Sequence, residues 1–100
     1  AAPYSEEAET NLLGAVMTNS RSFLTVAAFI TAEDFFLVRH KYIWQALINL
    51  NNRNEPLDFL LIKNELESMG WLDEIGGGGY LSRLLTMVES SHKTKHTPLL

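Results

Sequence analysis

The sequence predicts an all-α domain, a compact orthogonal bundle of five to six helices. Apolar residues recur at helical spacing in segment after segment, and capping residues stand in front of those segments. Strand-period alternation is weak throughout the 100 residues. With 46% apolar content, the chain has enough material for one core and no room for a second.

The first helix is announced by Ser5, placed to cap free N–H groups, with Glu6, Glu7 and Glu9 complementing the positive end of the helix dipole. Ala8, Leu12, Ala15 and Val16 fall on one face, and Gly14 inside the helix points to close approach of a neighbour. Asn19 or Ser20 opens a second helix, with Phe23, Val26, Ala27 and Ile30 as its apolar face. Thr31 with Asp34 three positions on resembles a capping box and predicts a short helical turn ending at Phe35-Phe36.

A third helix is expected over about Arg39–Asn51, with Ile43, Leu47 and Leu50 as its stripe and Tyr42, Trp44 and Ile48 flanking it. The Asn-rich stretch 51–54 stops it, because Asn tolerates the left-handed conformation. Pro56 bars helix at Glu55, and Asp58 caps a helix carrying Leu61, Ile62, Leu66 and Met69, which Gly70 ends. A short connection through Leu72 and Ile75 leads to the last helix, about Gly79–Val88, with Leu81, Leu84, Leu85 and Val88 inward. Residues 91–100 lose the periodicity and contain Pro98, so they read as a linker start or disordered tail after a domain spanning 3–90.

Four consecutive glycines, Gly76 to Gly79, invite comparison with phosphate-binding loops. No Lys or Ser/Thr follows them as a P-loop requires, and Asp73-Glu74 in front would repel phosphate. No βαβ pattern supports a dinucleotide fingerprint either. The glycines therefore act as a tight turn, with Gly76 and Gly77 letting the last helix fold back on the bundle.

Net charge is −4, and the eight Lys and Arg residues are scattered, so no basic stripe exists to hold nucleic-acid phosphates. No run approaches the ~20 apolar residues of a membrane span, and no signal peptide is visible. The absence of cysteine leaves no disulfide or thiolate metal site. A cytoplasmic protein is the expectation.

No catalytic constellation emerges. His92 and His96 stand four apart, but Lys93, Lys95 and Pro98 disfavour both a bound cation and a helix. His40 lacks a local partner that would make it a general base, so a structural, hydrogen-bonded histidine is expected. Phe23, Phe29, Phe35, Phe36 and Tyr42 are expected to pack inside. Trp44, Trp71 and Tyr80 sit at stripe edges or element ends, with core or half-buried packing favoured for the two tryptophans and Tyr80 evenly balanced between core and binding anchor. No metal or cofactor site is expected. On residue chemistry alone the chain reads as a small helical interaction domain, the alternative being a small helical DNA-binding domain.

Taken in order, several segments resemble the N-terminal domain of DnaB-type replicative DNA helicases over about residues 3–90. They are Pro3-Tyr4-Ser5-Glu6-Glu7-Ala8-Glu9, Leu13 to Met17, Glu33-Asp34-Phe35-Phe36, and His40 with Ile43, Trp44 and Ala46. Glu55-Pro56-Leu57-Asp58, Leu66-Glu67, Leu72 to Gly77, and Tyr80-Leu81 with Leu84 complete the set. Gly14, His40, Pro56, Asp58, Gly76 and Gly77 are the structural signature within it. The resemblance implies a non-catalytic module that pairs subunits, builds a collar on a hexameric ring, and docks primase or a helicase loader. It also implies that ATP and Mg²⁺ belong to a separate RecA-like motor domain. Glu7 and Tyr80 are the matched positions expected to touch partners. The sequence departs from the family pattern at Val38 and Arg39, at Asn54 where Gly is frequent, and beyond Ser91, where a helical hairpin is usual.

Overall fold

A computed structural model describes the backbone of residues 5–96 and the side chains of residues 5–87. Six helices follow in order: α1 (Glu6–Thr18), α2 (Ser20–Ala27), α3 (Val38–Asn52), α4 (Phe59–Ser68), α5 (Leu72–Ile75) and α6 (Gly77–His96). A 3-10 turn at Ala32–Asp34 joins α2 to α3, and no strand occurs among the described residues. The all-α expectation holds. Expected bounds hold closely for α1 to α4, while α5 is a one-turn helix where only a connection was expected.

The helix starts are fixed by the anticipated side chains. Ser5 accepts from the Ala8 N–H at 3.1 Å, Asn19 from Arg21 N–H at 3.2 Å, and Asp58 from Leu61 N–H at 2.8 Å. Each satisfies an amide with no partner inside its helix. Asp34 reaches back to the Thr31 N–H at 2.8 Å and closes the 3-10 turn. Asn54 is left-handed with φ of 60°, which lets the chain turn out of α3 where Gly is the commoner choice. Pro56 is exposed and delivers Leu57 into the core.

Helix α3 runs through the centre of the bundle. Ile43, Trp44, Ala46 and Leu47 are fully buried on it, so its apolar surface wraps much further round than a single stripe. Trp44, for which core or half-buried packing was the favoured expectation, is the largest fully buried side chain. Its indole N–H donates to the Ile30 carbonyl at 3.3 Å, and its ring packs on Phe23 and Phe35 with centroids 4.9 and 5.3 Å away. Trp71 on the approach to α5 stacks on Tyr42 at 4.1 Å. Helix α4 contributes Ile62 and Leu66, α5 contributes Ile75, and α6 contributes Leu81 and Leu84.

Three expectations are corrected. On α1 the buried residues are Thr10, Leu13, Gly14, Val16 and Met17; of the expected Ala8–Leu12–Ala15–Val16 face, Val16 is buried and Leu12 packs half-buried on the core, but Ala8 and Ala15 are exposed. Burying the larger Leu13 and Met17 removes more apolar surface from water. Thr10 joins them because its hydroxyl donates to the Glu7 carbonyl at 3.0 Å. Phe29 and Phe36, expected inside, are 82% and 64% exposed. The Phe29 and Ile30 amides both bond to the Val26 carbonyl, closing α2 so that Ile30 faces inward and Phe29 outward. Phe35 is extended, so it and Phe36 point to opposite sides and only Phe35 enters the core.

The third correction is the last helix. It starts at Gly77 and continues to His96, past the expected end at Val88 and through most of the segment expected to be a linker or tail. Pro98 restricts only the residue immediately before it, and Lys93 and Lys95 suit the negative end of a helix. Residues 97–100 of that segment, and Pro3 and Tyr4, lie outside the described residues. Gly76 and Gly77 carry φ of 106° and 75°, as a tight turn demands, whereas Gly78 and Gly79 are ordinary helical residues.

Candidate functional site

The first turn of α3 projects Arg39 and His40 towards α1 and α6. Helix α3 has no capping side chain of its own at Leu37. Glu9, from α1, supplies one: its carboxylate accepts from the Phe36 N–H and, at 3.4 Å, from the Leu37 N–H. The same carboxylate lies 2.7 Å from Nδ1 of His40. On the other side of the ring, Nε2 of His40 is 2.6 Å from the Tyr80 hydroxyl, on the first turn of α6. A carboxylate, an imidazole and a phenol thus form one chain of hydrogen bonds across three helices.

The imidazole is 0% exposed. Burial pushes its pKa below the ordinary histidine value, outweighing the opposite pull of Glu9. Burial alone would raise Glu9, but the Phe36 amide, His40 and the Leu37 amide together bring its carboxyl below the usual range. The consistent state is an ionised Glu9 accepting from Nδ1–H of a neutral His40, whose Nε2 accepts from the Tyr80 O–H. Arg39 covers the end of the chain, its guanidinium 5.0 Å from the Tyr80 ring centroid and 3.2 Å from Glu6.

Carboxylate, imidazole and hydroxyl in this order recur in nucleophilic enzymes, where the base must reach a substrate. Here both ring nitrogens are committed to protein partners and the ring is closed off from solvent, so the arrangement ties helices together. The sequence suggested a structural, hydrogen-bonded histidine at His40, and both of its ring nitrogens have hydrogen-bond partners. Its partners were not legible, because Glu9 and Tyr80 stand 31 and 40 residues away and Glu9 already had a local explanation at the start of α1.

The two residues expected to contact partners are placed differently. Glu7 is exposed in the first turn of α1, while Tyr80 is half-buried with its hydroxyl turned inward to His40. Gly14 is buried on α1, the helix that packs most extensively on α6. Among the described residues no cluster of three His, Cys, Asp or Glu could hold a metal ion. The side chains of His92 and His96 lie outside the described residues.

A second polar network joins the end of α3 to α4. Arg53 donates to Glu65 at 2.7 Å and to Glu55 at 3.3 Å, and Asn49 donates to Glu65 at 2.9 Å. Arg53, then Asn49, hold the Glu65 carboxyl below its ordinary value. Beside this network an open groove of about 420 Å³ lies between the start of α2 and the α3–α4 connection, with Arg21, Leu24 and Pro56 among its walls. None of the relay residues lines it.

The family described as the DnaB-like helicase N-terminal domain matches residues 1–97. The replicative DNA helicase DnaB of Geobacillus stearothermophilus is 33% identical over 94 residues, covering 94% of this chain and 21% of the relative. DnaB of Haemophilus influenzae is 33% identical over 82 residues, covering 82% of this chain and 18% of the relative. The crystal structure of the N-terminal domain of DnaB helicase from Mycobacterium tuberculosis superposes with a TM-score of 0.83 at 30% identity, covering 88% of this chain and 63% of that one. This chain, which spans about a fifth of the length of the curated relatives it matches, belongs to the DnaB-like helicase N-terminal domain family.

Proposed function

We propose that this domain serves a replicative helicase as a non-catalytic assembly and docking module, pairing subunits into the collar of a hexameric ring and receiving primase or a loader. The observation that carries the reading is the closed relay. The best-formed acid–base constellation among the described residues spends both nitrogens of His40 on Glu9 and Tyr80, which suits a rigid platform and not turnover. On this reading ATP and Mg²⁺ are handled by a RecA-like motor domain, and DNA is not a direct ligand of this acidic surface. The working compartment is the cytoplasm. No helix among the described residues is long and apolar enough to cross a membrane.

Glu7 remains a candidate partner contact by its exposure. Tyr80 acts through its ring edge and through the position it gives to α6. Light scattering on the chain, alone and mixed with the C-terminal domain of the cognate primase, tests the reading. Association with itself or with primase is expected. A strict monomer that ignores primase would overturn it, as would ATP turnover by the purified chain.

A further inference from the structure

The open groove of about 420 Å³ between the start of α2 and the α3–α4 connection has walls of two kinds. Leu24, 60% exposed, lines it together with Pro56 and Leu57. Arg21, Asn51 and Asn54 line it too, and their side chains have no hydrogen bond, ion pair or ring contact among the described residues. Elsewhere the polar side chains between helices are committed, Glu9, His40 and Tyr80 to one another and Arg53 and Asn49 to Glu65. Arg21 is also the sole charge in residues 10–32 of a chain whose net charge is −4. The one acid on the walls, Glu55, is already paired with Arg53 at 3.3 Å. Both walls are held in shape. Asn19 caps the Arg21 N–H at 3.2 Å, while the left-handed Asn54 and its neighbour Glu55 donate their N–H groups to the Asn51 and Leu50 carbonyls at 3.0 and 2.9 Å. A preformed recess binds with little ordering cost.

We propose that this groove receives a short extended segment of a partner protein in which an apolar side chain is flanked by Asp or Glu. The apolar side chain packs on Leu24, Pro56 and Leu57, a carboxylate meets the Arg21 guanidinium, and the Asn51 and Asn54 amides serve the segment's backbone. Charge complementarity selects this occupant. Arg21 repels a basic segment, and a single cation beside Glu55 gives nucleic-acid phosphates no stripe to follow. One turn of helix, ~10 Å across and ~5.4 Å tall, would already fill the groove, so a few extended residues are the better match. The inference rests on the docking role above and gives the chemistry of the segment received.

The test titrates the chain with the peptide Gly-Asp-Leu-Asp-Gly, acetylated and amidated, against Gly-Lys-Leu-Lys-Gly with the same ends, read by backbone amide NMR shifts. Blocked ends remove the terminal charges, so only the side chains are compared. Shifts are expected to centre on residues 20–24 and 51–57 and to shrink with added salt, while the Lys peptide should cause none. Arg21→Glu should reverse the preference between the two peptides. Leu24→Ser should weaken the acidic peptide about tenfold and keep the preference. Both side chains are exposed and neither belongs to the core, so the fold does not depend on them. Shifts centred elsewhere, equal binding of the two peptides, or an unchanged preference in Arg21→Glu overturn the proposal. So do shifts of the same residues on raising the chain concentration without peptide, which assign the groove to a second copy. A primase C-terminal domain that binds the chain while the peptide leaves the groove unmoved overturns this site and leaves the docking role intact.

Discussion

The Tyr80 hydroxyl and Nε2 of His40 meet at 2.6 Å, and this bond ties the first turn of α6 to the first turn of α3. The two residues are 40 positions apart, and the His40 imidazole, held between Tyr80 and Glu9, has no access to solvent. Replacing Tyr80 with Phe keeps the ring under Arg39 but strips Nε2 of its donor. A buried polar atom left unsatisfied costs about 1–3 kcal/mol. Urea denaturation of Tyr80→Phe should show a lowered midpoint with an unchanged slope. An unaltered midpoint would mean that the hydroxyl is not part of the fold's cohesion.

The same relay makes stability depend on pH in a stated direction. Burial holds His40 below its ordinary 6.5 in the folded state, so between those two values the unfolded chain binds more protons. Stability therefore rises with pH across that window: the contribution of neutral His40 is complete above 6.5 and is lost as pH falls towards the folded value. Glu9 is held below 4.5, so its contribution is present above 4.5 and is lost as pH falls through its folded value. Melting temperature should be flat near neutrality and begin to fall below about 6.5, with a second decline below about 4.5. In His40→Gln the upper decline should vanish, at some cost in stability at neutral pH. Calorimetry at a series of pH values reads both limbs, and an upper decline that survives in the variant would assign it to another group.

The glycine run separates into two kinds of position. Gly76 and Gly77 are left-handed, and a Cβ on Gly76 would also come within 3.2 Å of the Tyr80 Cβ. Gly79 is helical, and a Cβ there meets nothing within 4 Å. Gly76→Val and Gly77→Val should each destabilise by about 1–2 kcal/mol or more, from the left-handed backbone alone. Gly79→Ala should stabilise by up to ~1 kcal/mol through helix propensity. Thermal melts of the three variants check this, and a uniform response would remove the distinction.

What the sequence made legible follows the range of the interactions involved. Ser5, Asn19, Asp34 and Asp58 act on amides two or three residues away, so their caps could be read directly. The left-handed Asn54 and the turn at Gly76-Gly77 were legible for the same reason. The relay was not, because nothing local in Glu9 or Tyr80 marks them as the two ends of one hydrogen-bonded chain. Phe29 and Phe36 failed differently: hydrophobicity predicted burial, but the end of α2 and the extended backbone beside Phe35 decide which of two adjacent apolar side chains goes in. The burial of Thr10 was hidden by its polarity, which a bond to the Glu7 carbonyl neutralises.

That contrast between aromatic residues gives a last prediction. Trp44 is fully buried between Phe23 and Phe35 and satisfies its indole N–H on the Ile30 carbonyl, whereas Phe29 is 82% exposed. Truncating a buried tryptophan removes its transfer free energy, leaves a cavity, and here also strands a carbonyl. Losses of about 3–5 kcal/mol are usual for such a change. Against a total stability of ~5–15 kcal/mol, that is enough to leave a domain this small barely folded. Phe29→Ser removes an apolar side chain from solvent and creates no cavity, so its effect should stay within about 0.5 kcal/mol. Chemical denaturation should place Trp44→Ala far below the parent chain and Phe29→Ser beside it. If Phe29→Ser loses as much as Trp44→Ala, Phe29 is packed against something in solution, and repeating the melts over a range of chain concentrations would show whether that is a second copy.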